Sequence, residues 1–305
     1  PVIESESHTG SALKGLRLMC RPFNAVAVAT THFRRLSWAP TEAELWQEPT
    51  SEPGAQTATP NGRINARMWA RYQANLHGIT DDVIATFEVD TDPGFPSPQV
   101  SQSAPIFASQ DWTAMWTARN LQPSTTYYHR VRFDIGGSGT SSPRTVTGAT
   151  GAFRTLSAPG STPRRLRFVV GSCSNSLTAP MRTFDSIMAT DFPLDFWYHG
   201  GDTNYHDNQM NADDSSTVAD FWTCYNVNMA SSRWHRFARS TSNIITWDDH
   251  EVKNAYAGID WENNHSGWLR EAELAANHWL RARFPEGTSS YLAPVPPGTD
   301  AEGVP

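Results

Sequence analysis

Asn243-Ile-Ile-Thr-Trp247-Asp-Asp249-His250-Glu251-Val252 is an apolar, β-branched run that breaks into four consecutive polar residues. Asn243–Trp247 reads as a strand, so carboxylates on both sides of an imidazole stand where the chain leaves a sheet. Two earlier stretches share this plan. Val169-Val-Gly-Ser-Cys173-Ser-Asn175 ends a strand over Arg167–Gly171, and His199-Gly-Gly-Asp202-Thr-Asn-Tyr205-His206-Asp207 ends one over Asp195–His199. Helical patterns alternate with these strands. One covers Ala179–Ala189, with Phe184, Ile187 and Met188 on a single face, another much of Thr217–Phe237, and a third Gly267–Arg283. Such alternation specifies α/β layering. Ligands in α/β sheets gather beyond the carboxyl ends of strands, so the three loops are expected to converge on one site.

Each loop offers a distinct chemistry. Gly-Gly-Asp202 puts a carboxylate at a sharp turn with no neighbouring side chain to obstruct it, where its two oxygens can serve two cations. Tyr205, three residues on, can reach the same cluster, and a phenolate suits a trivalent iron better than Mg²⁺ or Ca²⁺. On its own, Gly-Asp-x-x-Tyr fits a capping Asp beside a packed Tyr equally well. In the third loop a carboxylate can bind a metal while His250 serves as general acid toward a leaving oxygen. Bulky Trp247 and Val252 on either side argue against a merely solvated loop. Cys173 has two readings: a buried structural thiol, the commoner fate of a lone Cys, or a thiolate ligand.

Upstream, the pattern differs. Residues 1–62 read as an irregular lead-in, with Thr41–Pro60 rich in Thr, Pro, Ser and Glu and showing no strand or helix period. From Arg63 to Leu156 short strands are separated by turn signals. The strands are Ile64–Tyr72, Val83–Val89, Trp112–Arg119, Tyr127–Ile135 and Arg144–Thr155, with turns at Asp92–Pro98 and Gly136–Ser142. This spacing specifies a small β-sandwich over 63–157. Leu121-Gln-Pro123-Ser-Thr125-Thr-Tyr127 resembles the corner signature of fibronectin-III domains, in which the Tyr hydroxyl bonds back to nearby backbone. Residues 158–165, beginning Ala-Pro-Gly-Ser-Thr-Pro, read as a linker.

Composition limits the functional classes. A net charge of −7 argues against general affinity for nucleic acid or anionic membrane, and no apolar run is long enough to span a bilayer. The 12 Trp and 14 Phe are enough to build a real core. Three cysteines cannot all pair with one another, so at least one thiol is free or paired outside the chain.

Gly-Ser-Cys173-Ser, His199-x-Gly-Asp202-x-x-Tyr205 and Trp247-Asp-Asp-His-Glu-Val-x-Asn254 together resemble the consecutive motifs of the PhoD-like alkaline phosphatases and phosphodiesterases. The family also carries a β-sandwich in front of its catalytic domain. The resemblance implies an α/β (α+β) calcineurin-like metallophosphatase β-sandwich flanked by helices, preceded by an all-β fibronectin-III-like domain. It implies hydrolysis of phosphomonoesters or phosphodiesters outside the cytoplasm by metal-activated water, with Fe³⁺ and Ca²⁺ as cofactors. By position, Cys173 and Tyr205 would bind the iron, Asp202 would bridge the metals, Asp249 would bind the second cation, and Asn254 would ligate or support it. His250 would be the proton donor, with Asp249 beside it as the other catalytic group.

The family's remaining ligands lie well beyond its Asp-Asp-His-Glu motif, whereas Pro285–Pro305 contains no His, and His265 and His278 read as solvated or packed. The catalytic domain, from 166 to 305, is therefore expected to be only partial, leaving sheet edges and apolar faces uncovered. A non-catalytic binding or adhesion protein built on the front domain is the competing class, along with a degenerate, metal-free relative. Such a protein has no need of Asp202, Tyr205, Asp249 and His250 together.

Overall fold

The computed structural model describes residues 51–73, 82–136, 143–161, 165–175, 181–190, 193–209, 216–229, 232–255 and 266–284. The front half is two antiparallel sheets. One contains β1 (Ser51–Ala58), β2 (Ile64–Arg71) and β6 (Thr113–Leu121), in the order β1-β2-β6. The other is built on β3 (Val83–Asp90) and β7 (Thr126–Ile135). The short strands β4 (Gln99–Val100) and β5 (Ala104–Ile106) pair with β3, while β8 (Arg144–Thr147) and β9 (Gly151–Arg154) pair with β7. Alternate residues of these strands, among them Met68, Phe87, Val131, Phe133 and Phe153, fill the core between the sheets. The expected corner contact is present: Gln122 N–H donates to the Tyr127 hydroxyl at 2.9 Å.

Two expectations for this half need correction. The stretch read as irregular up to residue 62 contains β1, which pairs with β2 and carries a bulge between Pro53 and Gln56. Its pattern is not that of a strand because its other neighbours come from the second half of the chain. Ala55 N–H donates to Ala282 O, Asn243 Nδ2 donates to Pro53 O, and a Cβ at Gly54 would lie 1.9 Å from Ala282 O. Arg144–Thr155, read as one strand, is two: β8 and β9 both pair antiparallel with β7, but their registers differ by one residue, as Arg132↔Thr147 and His129↔Gly151 show. The loop assigned to Gly136–Ser142 lies almost wholly outside the described residues, as do Cys20 and His265.

The second half is a three-stranded parallel sheet in the order β10 (Phe168–Gly171), β11 (Phe196–His199), β12 (Ser242–Ile245). Among the described residues its α-helices are α1 (Arg182–Met188), α2 (His206–Gln209), α3 (Val218–Met229), α4 (Ser232–Ala238) and α5 (Ser266–Trp279). Val169, Trp197 and Ile245 point to one face, where Phe184 of α1 and Trp234 and Phe237 of α4 cover them. The Trp197 ring lies 5.0 Å from both Trp234 and Phe237. Among the described residues nothing packs over the other face: Phe168 is 50% exposed and Val170 45%, and the Phe168 ring stacks on Phe196 at 5.0 Å.

The halves are joined by buried polar contacts. Glu52 on β1 accepts hydrogen bonds from Arg283 at 2.5 Å and His235 at 2.8 Å. Burial alone would raise the Glu52 pKa, but these two partners hold it below the usual carboxylate range. Trp69 Nε1 donates to His278 O, and Trp279 Nε1 donates to Asp111, which Arg71 also grips through two nitrogens.

His129 belongs to the same seam. Its Nε2 lies 2.9 Å from Arg239 O and its Nδ1 lies 2.6 Å from Ser51 Oγ. A neutral ring protonated on Nε2 satisfies both, donating to the carbonyl and accepting from the hydroxyl. Burial accordingly pushes its pKa down from 6.5 to about 4. Between these values the unfolded chain takes up a proton that the folded chain refuses. The stability tied to neutral His129 is thus intact above pH 6.5 and falls away toward pH 4, by about 3 kcal/mol in all. Urea unfolding at pH 7 and pH 5 is expected to show a smaller acid loss for His129→Gln than for the parent chain. Equal losses would place the proton uptake elsewhere.

Candidate metal centre

The three polar loops leave the carboxyl ends of β10, β11 and β12, and the parallel register sets them side by side. The first two are linked through their backbones: Cys173 N–H donates to Gly201 O at 3.1 Å and Ser174 N–H to Asp202 O at 3.0 Å. Cys173 and Asp202 both have φ of 59°. Asp tolerates this left-handed region, but for Cys it is a strained conformation that the surrounding structure must enforce. Gly201, at φ 101°, passes against the third loop, where a Cβ would lie 2.4 Å from Asp248 Cβ. Only glycine allows that approach.

Asp202 is the centre of the cluster. Its Oδ2 is 3.2 Å from Cys173 Sγ and 3.4 Å from the Tyr205 hydroxyl, and its Oδ1 accepts from His250 N–H at 3.3 Å. Asp202, Asp249 and His250 each present a ligand atom within 4.8 Å of the others. Cys173 is exposed, which removes the buried structural thiol reading, whereas Cys224 is fully buried. Tyr205 is buried, and its ring lies 4.6 Å from the His250 imidazole. The exposed Asn254 joins the site through its backbone N–H, which donates to Asp207 Oδ2 at 2.8 Å.

The electrostatics of this group are consistent with a cation. Burial, reinforced by neighbouring acidic groups, raises the pKa of Cys173, Asp202 and Tyr205, each toward its protonated form. Three potentially anionic donors are thus pressed together, with the His250 imidazole as a positive charge acting on Asp202. A bound cation reverses such shifts and ionises the donors. Thiolate, phenolate and a central carboxylate form a donor set that fits a trivalent ion, and the Asp249 carboxylate offers a further hard oxygen.

Two residues essential to this geometry had no role assigned from the sequence. Glu251 is completely buried and accepts five hydrogen bonds. Its Oε1 receives Thr203 N–H, Thr203 Oγ1–H and Asn204 N–H, and its Oε2 receives Asp202 N–H and Asp248 N–H. Burial pushes its pKa up to about 7, against the pull of these donors. The signal was legible, since Asp248-x-x-Glu251 has the spacing of a capping box. Asp207 was quoted within the second loop but not paired. It contacts His250 Nδ1 with both oxygens, at 2.9 and 3.1 Å, a proximity between residues 43 apart that no local pattern encodes. Burial lowers the His250 pKa, but the Asp207 hydrogen bond and charge outweigh it, and the net shift is upward.

Comparison with known proteins places this arrangement. The family model for the PhoD-like phosphatase N-terminal domain matches residues 52–157, and that for the PhoD-like phosphatase itself matches residues 168–283. Among solved structures, one described as "Structure of PhoD" is similar at 20% identity with a TM-score of 0.60, covering 80% of this chain and 47% of that one. The chain thus spans about half the length of that structure. A purple acid phosphatase, PPD1 from yellow lupin (Lupinus luteus) seeds, is 12% identical with a TM-score of 0.46, covering 75% of this chain and 40% of its own, too loose a match to bear on the fold. No curated protein matches the chain. The two family models follow one another in chain order, and the second contains all three loops around Asp202, so the chain belongs to the PhoD-like phosphatase family.

Proposed function

We propose that this chain carries the first part of a metal-dependent phosphoester hydrolase centre acting on phosphomonoesters, phosphodiesters or both. One observation carries this reading: Asp202 stands between Cys173 and Tyr205 on one side and Asp249 and His250 on the other. Cys173, Tyr205 and Asp202 would hold Fe³⁺, and Asp249, with Asn254 as ligand or support, would hold Ca²⁺ against the shared Asp202. Bound there, the cations supply Lewis acidity toward a phosphoryl oxygen and toward the attacking water. The chain's own part is to position and to move a proton. Glu251 fixes the turn that presents Asp202, and His250 donates a proton from Nε2 to the departing oxygen, its Nδ1 being held by Asp207. The raised His250 pKa favours the protonated acid that this role requires.

The same reading takes the front sheets as a fibronectin-III-like sandwich, the boundary as residues 158–165, and the site of action as extracytoplasmic. The match of the two family models to 52–157 and 168–283 supports that division. No described helix is long and apolar enough to cross a membrane. Hydrolysis of p-nitrophenyl phosphate and of its bis-ester, before and after chelation, tests the function. Turnover is expected to vanish on chelation and return with iron and calcium; turnover that survives chelation would contradict the proposal.

A further inference from the structure

Cys173 is held in the left-handed region, and its neighbour shows what holds it there. The backbone of this turn is bonded to the second loop, Cys173 N–H to Gly201 O and Ser174 N–H to Asp202 O. The side chain of Ser174 is anchored on the sheet itself, with its Oγ 2.7 Å from His199 Nε2. His199 is the last residue of the central strand β11 and is 1% exposed. Its ring stands edge-on to Trp197 at 5.2 Å and to Trp234 at 6.2 Å. Its carbonyl accepts Thr246 N–H at 3.0 Å from the chain leaving β12. Burial pushes its pKa down from 6.5 to about 3, so the ring is neutral. The serine hydroxyl can donate or accept, so it partners Nε2 in either tautomer. Nδ1 is buried and has no hydrogen-bond partner among the described residues, which leaves Ser174 as the ring's one polar tie there.

We propose that His199 is a positioning residue for the metal centre: through Ser174 it fixes the turn that presents the Cys173 thiol to Asp202. The chain of contacts is continuous. The strand and two tryptophans hold the His199 ring, the ring holds Ser174 Oγ, and the adjoining Cys173 Sγ lies 3.2 Å from Asp202 Oδ2. Breaking the bond would orphan a buried ring nitrogen, so the first loop is kept in one arrangement. The proposal rests on Cys173 being an iron ligand, but the setting of its thiol can be read without metal. His199→Phe keeps a ring among the tryptophans and removes the nitrogen. Ser174→Ala removes the other partner at a half-buried loop position, outside the core. His199→Gln, whose amide reaches the place of Nε2, should restore the parent behaviour.

In the full chain freed of metal, alkylation of Cys173 by iodoacetamide, followed by peptide mass spectrometry, reads the thiol alone. His199→Phe and Ser174→Ala should each speed it several-fold and the double variant no further than either, while the buried Cys224 stays inert. Equal rates in the parent chain and the variants would overturn the proposal whatever the metal does. With Fe³⁺ added, the thiolate charge-transfer band is the one lost in Cys173→Ser, and it should shift or weaken in both variants. Iron affinity should fall about 10–100-fold, the cost of losing a group behind a metal ligand. The phenolate band, lost in Tyr205→Phe, should stay in place, and His199→Gln should recover both the thiolate band and the affinity. Loss of both bands together would overturn the proposal, since His199 would then support the whole site rather than Cys173. Faster alkylation in the variants of a chain that binds no iron would uphold the positioning of the thiol and refute the metal reading instead.

Discussion

Asp202→Asn is expected to strip the centre of metal and to lower turnover by more than about 100-fold, since even groups behind a metal ligand cost 10–100-fold when lost. The substitution is nearly isosteric, so its effect is chemical. One oxygen of Asp202 faces Cys173 and Tyr205, and the other faces the His250 backbone. An amide leaves one oxygen and a neutral group, which cannot serve two cations at once. The fold should tolerate the change, because the amide that fixes this residue is its own N–H, donated to Glu251. Metal content and kcat measured on the same preparation check it. Normal metal content with near-normal kcat would remove Asp202 from the centre.

Glu251→Gln should act through stability. Both carboxylate oxygens are occupied, one by three donors and the other by Asp202 N–H and Asp248 N–H. Glutamine keeps one oxygen. Facing it toward the three donors leaves its NH₂ group against the N–H groups of Asp202 and Asp248, in a fully buried position. Two orphaned donors at about 1–3 kcal/mol each predict a loss of about 2–6 kcal/mol, a large share of an ordinary domain's stability. One of those donors belongs to Asp202, so metal affinity should fall in the same variant. Chemical denaturation reads the first effect; a loss under about 1 kcal/mol would show that Glu251 does not hold the loops together.

The alternation of strand, polar loop and helix after Arg167 was legible because each element carries its own period and each loop interrupts it with Gly, Asp or His. The same local signal marked the sandwich strands read over Val83–Val89 and Tyr127–Ile135, each one residue shorter than observed, whose apolar residues alternate against a single core. Ser51–Ala58 was not legible. It is a strand because Ala282, Asn243, His235 and Arg283 satisfy its polar groups, and nothing in Ser-Glu-Pro-Gly points to partners about 200 residues away. At the site, residue chemistry identified Cys173, Asp202, Tyr205, Asp249 and His250 as a group, and the structure gathers them around Asp202. What that chemistry could not supply was the support. Asp207 is recognisable only by its contact with His250; Glu251 has capping-box spacing with Asp248, but the donors it receives from the second loop are not encoded locally. Ligand types leave a signature in sequence, but the hydrogen bonds that aim them come from loops meeting in space.

Elemental mass spectrometry of the purified chain, taken with its visible spectrum, tests the central claim most directly. Iron bound at near-stoichiometric level, with a charge-transfer band that disappears in Tyr205→Phe, is the predicted result. A chain that binds no iron when supplied with it, or whose iron band is unchanged in Tyr205→Phe, would contradict the assignment of Cys173, Asp202 and Tyr205 as one metal-binding group.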